Sequence, residues 1–125
     1  MSAEPVSVAA VGYDAADPAL LHVMWRRFEG ITLTIAGELD RWSYPQLSRL
    51  LDQVEEGGPG RVELDFSSVQ LLDSAAARAL RRRREEMHRR GCTLVIRRAN
   101  PWVCRVLALL QMQDLLASPV DALEE

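Results

Sequence analysis

The fold is decided by residues 62–74, whose sequence is VELDFSSVQLLDS. Apolar and polar residues alternate in its first half, with Val62, Leu64 and Phe66 on one side, as in a β-strand. Asp73-Ser74 is typical of a helix start, because short polar side chains accept hydrogen bonds from the first backbone N–H groups of a helix. The stretch therefore predicts a strand that leads directly into a helix.

Similar patterns on both sides of this stretch predict strands that alternate with helices. The predicted elements, in chain order, are strands over 20–28 and 31–36, a helix from a cap at Ser43 to Gly57, a strand over 62–66, a helix over 74–90, a strand over 92–96, a helix opened by Asn100-Pro101, and a short strand with a helical turn within 111–125. Strands separated by helices pair in parallel through right-handed crossovers, whereas two strands joined by a tight turn form a hairpin. The predicted fold class is α/β, with a mixed, mostly parallel central sheet of four to five strands, helices and an N-terminal β-hairpin.

The 125 residues fit a single domain with a less regular segment at its start. Residues 1–19 show no clear period, and we expect a flexible N-terminal arm that precedes a domain over residues 20–125. The apolar run at 6–11 follows Glu4 rather than a basic segment, so we do not expect a signal peptide. No stretch approaches the roughly 18 apolar residues of a membrane span. We therefore expect a cytoplasmic protein without membrane insertion.

The composition argues against several classes of function. The net charge is −3, so no general basic field attracts nucleic acid. Two histidines and two widely spaced cysteines, Cys92 and Cys104, are too few for a zinc site, and we predict that both cysteines are buried free thiols. The chain offers no nucleophile with a neighbouring base and no glycine-rich phosphate loop. We expect a binding protein rather than an enzyme, with no cofactor and no metal.

The order of several short motifs resembles a known family. Residues 37–40 read GELD at the end of a predicted strand, and residues 62–67 read VELDFS. Asp73-Ser74 follows 33 residues after the GELD aspartate, and Asn100-Pro101 opens the last predicted helix. In this order and spacing, the motifs resemble the STAS family, which is named for sulfate transporters and anti-sigma factor antagonists. The resemblance covers residues 20–123 and implies a STAS-like mixed sheet.

The resemblance also implies a partner. In the family's antagonists, an anti-sigma factor of the histidine-kinase-like ATPase type contacts the turn after the VELDFS-like strand and phosphorylates the second hydroxyl residue of a D-S-S-G pattern. Asp73 and Ser74 match the first two places of that pattern, whereas Ala75 occupies the acceptor place and Ala76 the glycine place. The resemblance therefore implies a bacterial anti-sigma factor antagonist that relieves inhibition of a sigma factor, with phosphorylation control in doubt. A small STAS subunit of an ABC-type lipid transport assembly, a stressosome-type scaffold and a homodimer stay open as alternatives.

Two turns carry the residues that the resemblance assigns to partner binding. These residues are Asp40, Trp42, Asp73, Ser74, Ala75 and Ala76. Each has a purely structural alternative, because Asp40 is also suited to capping the helix that follows it, and Trp42 is also suited to packing against the core. Asp73 and Ser74 allow three interpretations: capping alone, capping with partner contact, or phosphorylation of Ser74.

The arginine run over residues 81–84 lies inside a predicted helix. Four consecutive helical residues spread around the axis rather than forming one patch. Glu85 and Glu86 precede Arg89 and Arg90 by four residues, which favours ion pairs along the helix. We interpret the run as a solvated, self-paired face, with docking of an acidic partner or of nucleic acid as alternatives.

Overall fold

The computed structural model describes residues 4–9, 21–27, 30–58 and 60–117. The elements in this part of the chain are β1 (Glu4–Ala9), β2 (Leu21–Arg27), β3 (Gly30–Leu39), α1 (Tyr44–Glu55), β4 (Arg61–Leu72), α2 (Ser74–Arg89), β5 (Thr93–Ala99), α3 (Pro101–Leu109) and a 3₁₀ turn (Gln113–Leu115). From β2 to α3, strands and helices follow one another in the order that the sequence predicts.

The described strands form one sheet in the order β1-β2-β3-β4-β5. Strand β2 is antiparallel to both β1 and β3, whereas β3, β4 and β5 run parallel. Helix α1 connects β3 to β4, and α2 connects β4 to β5. This architecture confirms the predicted α/β class, its mixed sheet and the hairpin of β2 with β3.

Strand β1 lies within the segment that is predicted as a flexible arm. Its backbone pairs with β2 from Glu4 opposite Arg26 to Ala9 opposite His22. A strand that is paired with a neighbour is not a free arm, so the prediction is wrong for Glu4–Ala9. The six residues EPVSVA contain only one short apolar–polar alternation and a proline, so side-chain periodicity gives a weak strand signal here. Residues 1–3 and 10–20 lie outside the described residues.

The core is built from alternate strand residues and the inner sides of the helices. Leu33 and Ile35 of β3 and Leu64 and Phe66 of β4 are fully buried. They form one cluster with Leu47, Leu50, Leu51 and Val54 of α1, Ala76, Ala77, Leu80 and Met87 of α2, and Val103 and Leu107 of α3. The spacing of these helical residues is that of one buried helix side, because residues three and four apart lie together.

The start of α3 is fixed by Asn100. Its Oδ1 accepts a hydrogen bond from the backbone N–H of Val103 at 2.9 Å. Its Nδ2 donates to the backbone carbonyls of Val69 at 2.8 Å and Ser67 at 3.2 Å. One side chain therefore caps α3 and holds the part of β4 where the pairing with β3 shifts register. The helix predicted to begin at Asn100-Pro101 is therefore confirmed. Strand β4 continues to Leu72, six residues beyond the end of the predicted strand.

The arginine run does not form a single solvated face. Arg83 is only 9% exposed, and its guanidinium donates to Asp52 of α1 at 2.7 Å and to Glu55 of α1 at 2.9 Å. The sequence predicts that Arg90 pairs with Glu86 within the same helix. In the structure, Arg90 forms an ion pair with Glu55 of α1 at 2.8 Å. These ion pairs join α1 to α2, so part of the run stabilises the packing of two helices.

The helix period explains why Arg83 points inward. It follows Leu80 by three residues and precedes Met87 by four, and both of those side chains are buried. Residues at these spacings lie on one side of a helix, so Arg83 continues the buried side of α2. By contrast, Arg82 is exposed.

The ends of the remaining elements agree with local backbone chemistry. Gly91 has a φ of 87°, a left-handed conformation that glycine adopts without strain, and it follows α2 as predicted. The predicted short strand with a helical turn corresponds, up to residue 117, to the 3₁₀ turn and a single bridge between Leu116 and Ile96.

Within the described ranges, every helix is too short or too polar to cross a bilayer.

Candidate functional site

Two turns meet at one edge of the sheet. Strands β3 and β4 are parallel, and Leu39 pairs with Leu72 at their carboxyl ends. Asp40 and Asp73 are the next residues of the two strands, so neighbouring strands deliver both carboxylates to the same edge. Open α/β sheets usually place their binding sites beyond this edge.

Asp40 shapes the first turn and the entry to α1. Its Oδ1 accepts hydrogen bonds from the backbone N–H groups of Trp42 and Ser43, each at 2.9 Å. Its backbone carbonyl accepts from the N–H of Tyr44 at 2.8 Å. The carboxylate therefore fixes the turn that leads into α1, whereas the N–H groups of the helix itself receive no capping bond from this side chain.

Ser43 does not cap α1, contrary to the prediction. It stands at the residue before the helix, but its backbone is already helical, and its side chain makes no capping hydrogen bond. The hydroxyl instead donates to the carbonyl of Glu38 at 2.7 Å and accepts from the N–H of Asp40 at 3.0 Å. The side chains of Asp40 and Ser43 thus stabilise the turn before α1, and the backbone carbonyl of Ser43 accepts from the N–H of Gln46 in the first turn of the helix at 2.9 Å.

Asp73 joins the two turns. Its Oδ1 accepts from the N–H of Ala76 at 2.8 Å, which caps α2. Its Oδ2 accepts from the N–H of Arg41 at 3.2 Å, and its own N–H donates to the carbonyl of Leu39 at 3.2 Å. The carboxylate therefore holds the start of α2 against the turn that follows β3.

A second link ties α1 to α2 just below these turns. The hydroxyl of Tyr44, the first residue of α1, donates to the backbone carbonyl of Ala79 in α2 at 3.2 Å. Burial raises the pKa of Tyr44 above its ordinary value, so the phenol keeps the proton that it donates. The two helix starts are thereby fixed relative to each other.

The side chains presented by the two turns differ in exposure. Trp42 is 70% exposed, and the guanidinium carbon of Arg41 lies 4.7 Å from the centre of its ring, within the range of a cation–π contact. Ser74 and Ala75 at the start of α2 are exposed, whereas Asp40 and Asp73 are partly buried. This edge therefore exposes a large aromatic side chain on one turn and small side chains at the start of α2 on the other.

Ala76 does not belong to this surface. Its side chain is fully buried in the core cluster, so it cannot serve as the predicted partner contact. It is the third residue of α2 and lies on the buried side of this helix, together with Ala77 and Leu80. Only its backbone N–H takes part in the site, through Asp73.

Sequence reasoning missed Arg41. This residue is exposed, its backbone N–H reaches Asp73, and its side chain lies over Trp42. The available signal was its position between Asp40 and Trp42, both of which are predicted contacts. The hydrogen bond to Asp73 spans 32 residues and has no local signature.

The two cysteines and the question of a metal site concern residues outside these two turns. Cys92 is buried and Cys104 partly buried, and both are free thiols. Among the described residues, no cluster of three or more His, Cys, Asp and Glu side chains could hold a metal ion. The carboxylates of Asp40 and Asp73 accept hydrogen bonds from backbone N–H groups, which fixes the shape of the two turns.

Comparisons with known proteins agree with this architecture. The family model described as Mlab, STAS domain matches residues 6–117. The anti-sigma factor antagonist SpoIIAA in its unphosphorylated form has a TM-score of 0.64, at 17% identity over 85% of this chain and 94% of that chain. The Bacillus cell fate determinant SpoIIAA in the phosphorylated form has a TM-score of 0.58, at 16% identity over 85% of this chain and 97% of that chain. The comparison with curated proteins finds no match. These structures share the fold, and the family match spans most of the sequence: the chain belongs to the STAS domain family.

Proposed function

We propose that this chain is a binding module of the anti-sigma factor antagonist kind. It binds an anti-sigma factor of the histidine-kinase-like ATPase type and so relieves inhibition of a sigma factor. The observation that carries the proposal is the hydrogen bond between Arg41 and Asp73, which holds the Trp42 turn beside the start of α2. Trp42, Ser74 and Ala75 are thereby presented together at the carboxyl edge of the sheet.

The physical chemistry of this edge favours a protein partner. An exposed tryptophan next to an arginine is the kind of anchor that dominates protein–protein interfaces. The Asp73 carboxylate already lies at the positive end of the α2 dipole, so the start of this helix offers a partner small exposed side chains rather than a site for an acidic group. Ala75 leaves room for a partner side chain, since its own side chain ends at Cβ.

In this proposal, the module acts without phosphorylation control. Ala75 has no hydroxyl at the place where the family's antagonists accept phosphate. A phosphate on Ser74 would instead stand beside the Asp73 carboxylate and be repelled by it. Asp73 also takes the N–H groups of Arg41 and Ala76 that a phosphate could otherwise use. The chain therefore acts as a constitutive antagonist.

A second candidate function is a small STAS subunit of an ABC-type lipid transport assembly. Ala75 favours this alternative, because a permanent subunit has no need of release by phosphorylation. The neighbouring genes separate the two functions: a kinase-type anti-sigma factor gene supports the first, and a transporter operon supports the second.

Direct binding tests the proposed function. The purified chain is titrated by calorimetry into a kinase-type anti-sigma factor encoded in the same genome. We expect a 1:1 complex that Trp42→Ala or Ala75→Arg weakens at least about tenfold, as for interface anchors. Both side chains are exposed, so circular dichroism of the variants should remain native, and Arg82→Ala on the outer side of α2 serves as the matched control. Absence of binding by the native chain, or equal binding by all variants, contradicts the proposal.

A further inference from the structure

The outer side of α3 carries apolar side chains that the core does not use. Trp102 is 50% exposed and Leu109 is 78% exposed, and Arg105 between them is also exposed. At about 100° per residue, these three side chains lie within about 60° of one another around the helix axis. Val103 and Leu107 of the same helix are fully buried. The three exposed side chains adjoin this buried side, so the apolar side of α3 extends beyond the residues that the core uses.

This stripe, defined as Trp102, Arg105 and Leu109, begins at a shallow groove. Trp102 and Pro101 form one wall of the groove, and residues 67–70 at the irregular part of β4 form the other. Asn100 fixes the two walls relative to each other through its hydrogen bonds to the carbonyls of Ser67 and Val69. The groove is thus a fixed feature of the fold. A partner segment that lies along α3 would have one of its ends in this groove.

The charge at the centre of the stripe decides what kind of partner fits. In a symmetric contact with a second copy, two α3 helices would cross antiparallel, and Arg105 would face Arg105 of the other copy. Like charges at the centre of an apolar contact oppose association. A carboxylate at that position would instead form a bidentate pair with the guanidinium.

We propose that the stripe is a docking surface for an acidic amphipathic helix of a partner protein. Apolar side chains of that helix cover Trp102 and Leu109, and a carboxylate between them pairs with Arg105. Helices that bind in this way present apolar residues at spacings of three, four and seven. The inference goes beyond the proposed function, since it holds whichever partner binds at the Trp42 and Ser74 edge.

The test uses a chain with Trp25→Phe and Trp42→Phe, in which Trp102 is the single tryptophan. The probe is a synthetic helix-forming peptide with leucines three, four and seven residues apart and glutamates between them, and its matched control has lysines in place of the glutamates. We expect the glutamate peptide alone to shift the Trp102 emission to shorter wavelength. Arg105→Glu should weaken that binding at least tenfold and create binding of the lysine peptide. Leu109→Asp should weaken binding of the glutamate peptide to the parent chain and binding of the lysine peptide to the Arg105→Glu variant. Arg49→Glu, on the exposed side of α1, should leave the binding of each peptide unchanged.

Calorimetry on the chain that retains all three tryptophans gives a second measurement that does not depend on the tryptophan substitutions. Equal binding of the two peptides, no binding of either, or no effect of Arg105→Glu overturns the proposal. A shift of Trp102 emission that grows with protein concentration in the absence of peptide also overturns it, because that result assigns the stripe to a second copy.

Discussion

The backbone N–H of Arg41 donates to Oδ2 of Asp73 at 3.2 Å, across 32 residues of sequence. The other oxygen of the same carboxylate caps α2 through Ala76. A single side chain therefore sets both the start of a helix and the position of the turn that carries Trp42. The proposed partner surface depends on this link, because Trp42 and Ser74 belong to different segments of the chain.

Removal of the Asp73 carboxylate should therefore lower stability. We expect Asp73→Ala to reduce the free energy of unfolding by about 1–2 kcal/mol, the usual cost of losing a helix cap. Asp73→Asn should cost less, because its amide oxygen still accepts from Ala76. Urea unfolding followed by circular dichroism measures both, with the exposed Ser74→Ala as control. An unchanged midpoint for Asp73→Ala would contradict the bridging role.

Arg83 and its neighbour Arg82 provide a matched pair for the packing of α1 on α2. We expect Arg83→Met to destabilise the chain by about 2 kcal/mol, within the ordinary range for single substitutions, because it leaves Asp52 and Glu55 without this partner. The loss is limited because Arg90 still pairs with Glu55. Arg82→Met, at an exposed position, should stay within about 0.5 kcal/mol of the parent. Equal effects of the two substitutions in thermal and urea unfolding would show that the pairing of Arg83 is of no consequence.

Glu55 should give stability a specific dependence on pH. Its hydrogen bond from Arg90, helped by that from Arg83, holds the pKa of this carboxyl below its ordinary value despite partial burial. A carboxyl with a lower pKa in the folded state stabilises the fold above its unfolded pKa, and this contribution is lost as the pH falls through the folded pKa. Glu55→Gln should remove that part of the slope below the ordinary glutamate pKa of about 4.3, as measured by urea midpoints from pH 7 to pH 3. The exposed Glu56→Gln is the control, and identical slopes for both variants would refute the assignment.

Periodic side-chain patterns made most of the fold predictable. The strand patterns around Leu33 and Leu64 and the helix pattern from Leu47 to Val54 report burial directly, because the period of a segment follows from its geometry. Strand β1 was missed because its six residues, EPVSVA, are too few to show a clear alternation of apolar and polar side chains. Arg83 and Ala76 were misjudged, although their spacing to Leu80 places both on the buried side of α2.

The site was predictable only in part, because its residues act across the chain. Motif order placed Asp40 and Asp73 at neighbouring strand ends, and the sheet register confirms that adjacency. Asp40 and Ser43 are both suited to capping α1, but in the folded chain both side chains make their hydrogen bonds within the turn before the helix. The contact of Arg41 with Asp73 requires the parallel pairing of β3 with β4, which only the folded chain supplies.

Restoring a hydroxyl at the acceptor place should restore phosphorylation. We expect the intact mass of the native chain to stay unchanged after incubation with ATP and the kinase-type anti-sigma factor. Ala75→Ser should gain one phosphate under the same conditions, because the helix start is exposed and the new hydroxyl occupies the family's acceptor place. A phosphate on the native chain that disappears in Ser74→Ala would contradict constitutive action.

The antagonist function can be measured as displacement of a labelled sigma factor from its anti-sigma factor. Fluorescence anisotropy follows the sigma factor while the chain and ATP are added together. We expect the native chain to keep the sigma factor released although ATP is present, and we expect release by Ala75→Ser to decay with time. Failure of the native chain to release the sigma factor would contradict the proposed antagonist function, and release that decays for the native chain would contradict its independence from phosphorylation.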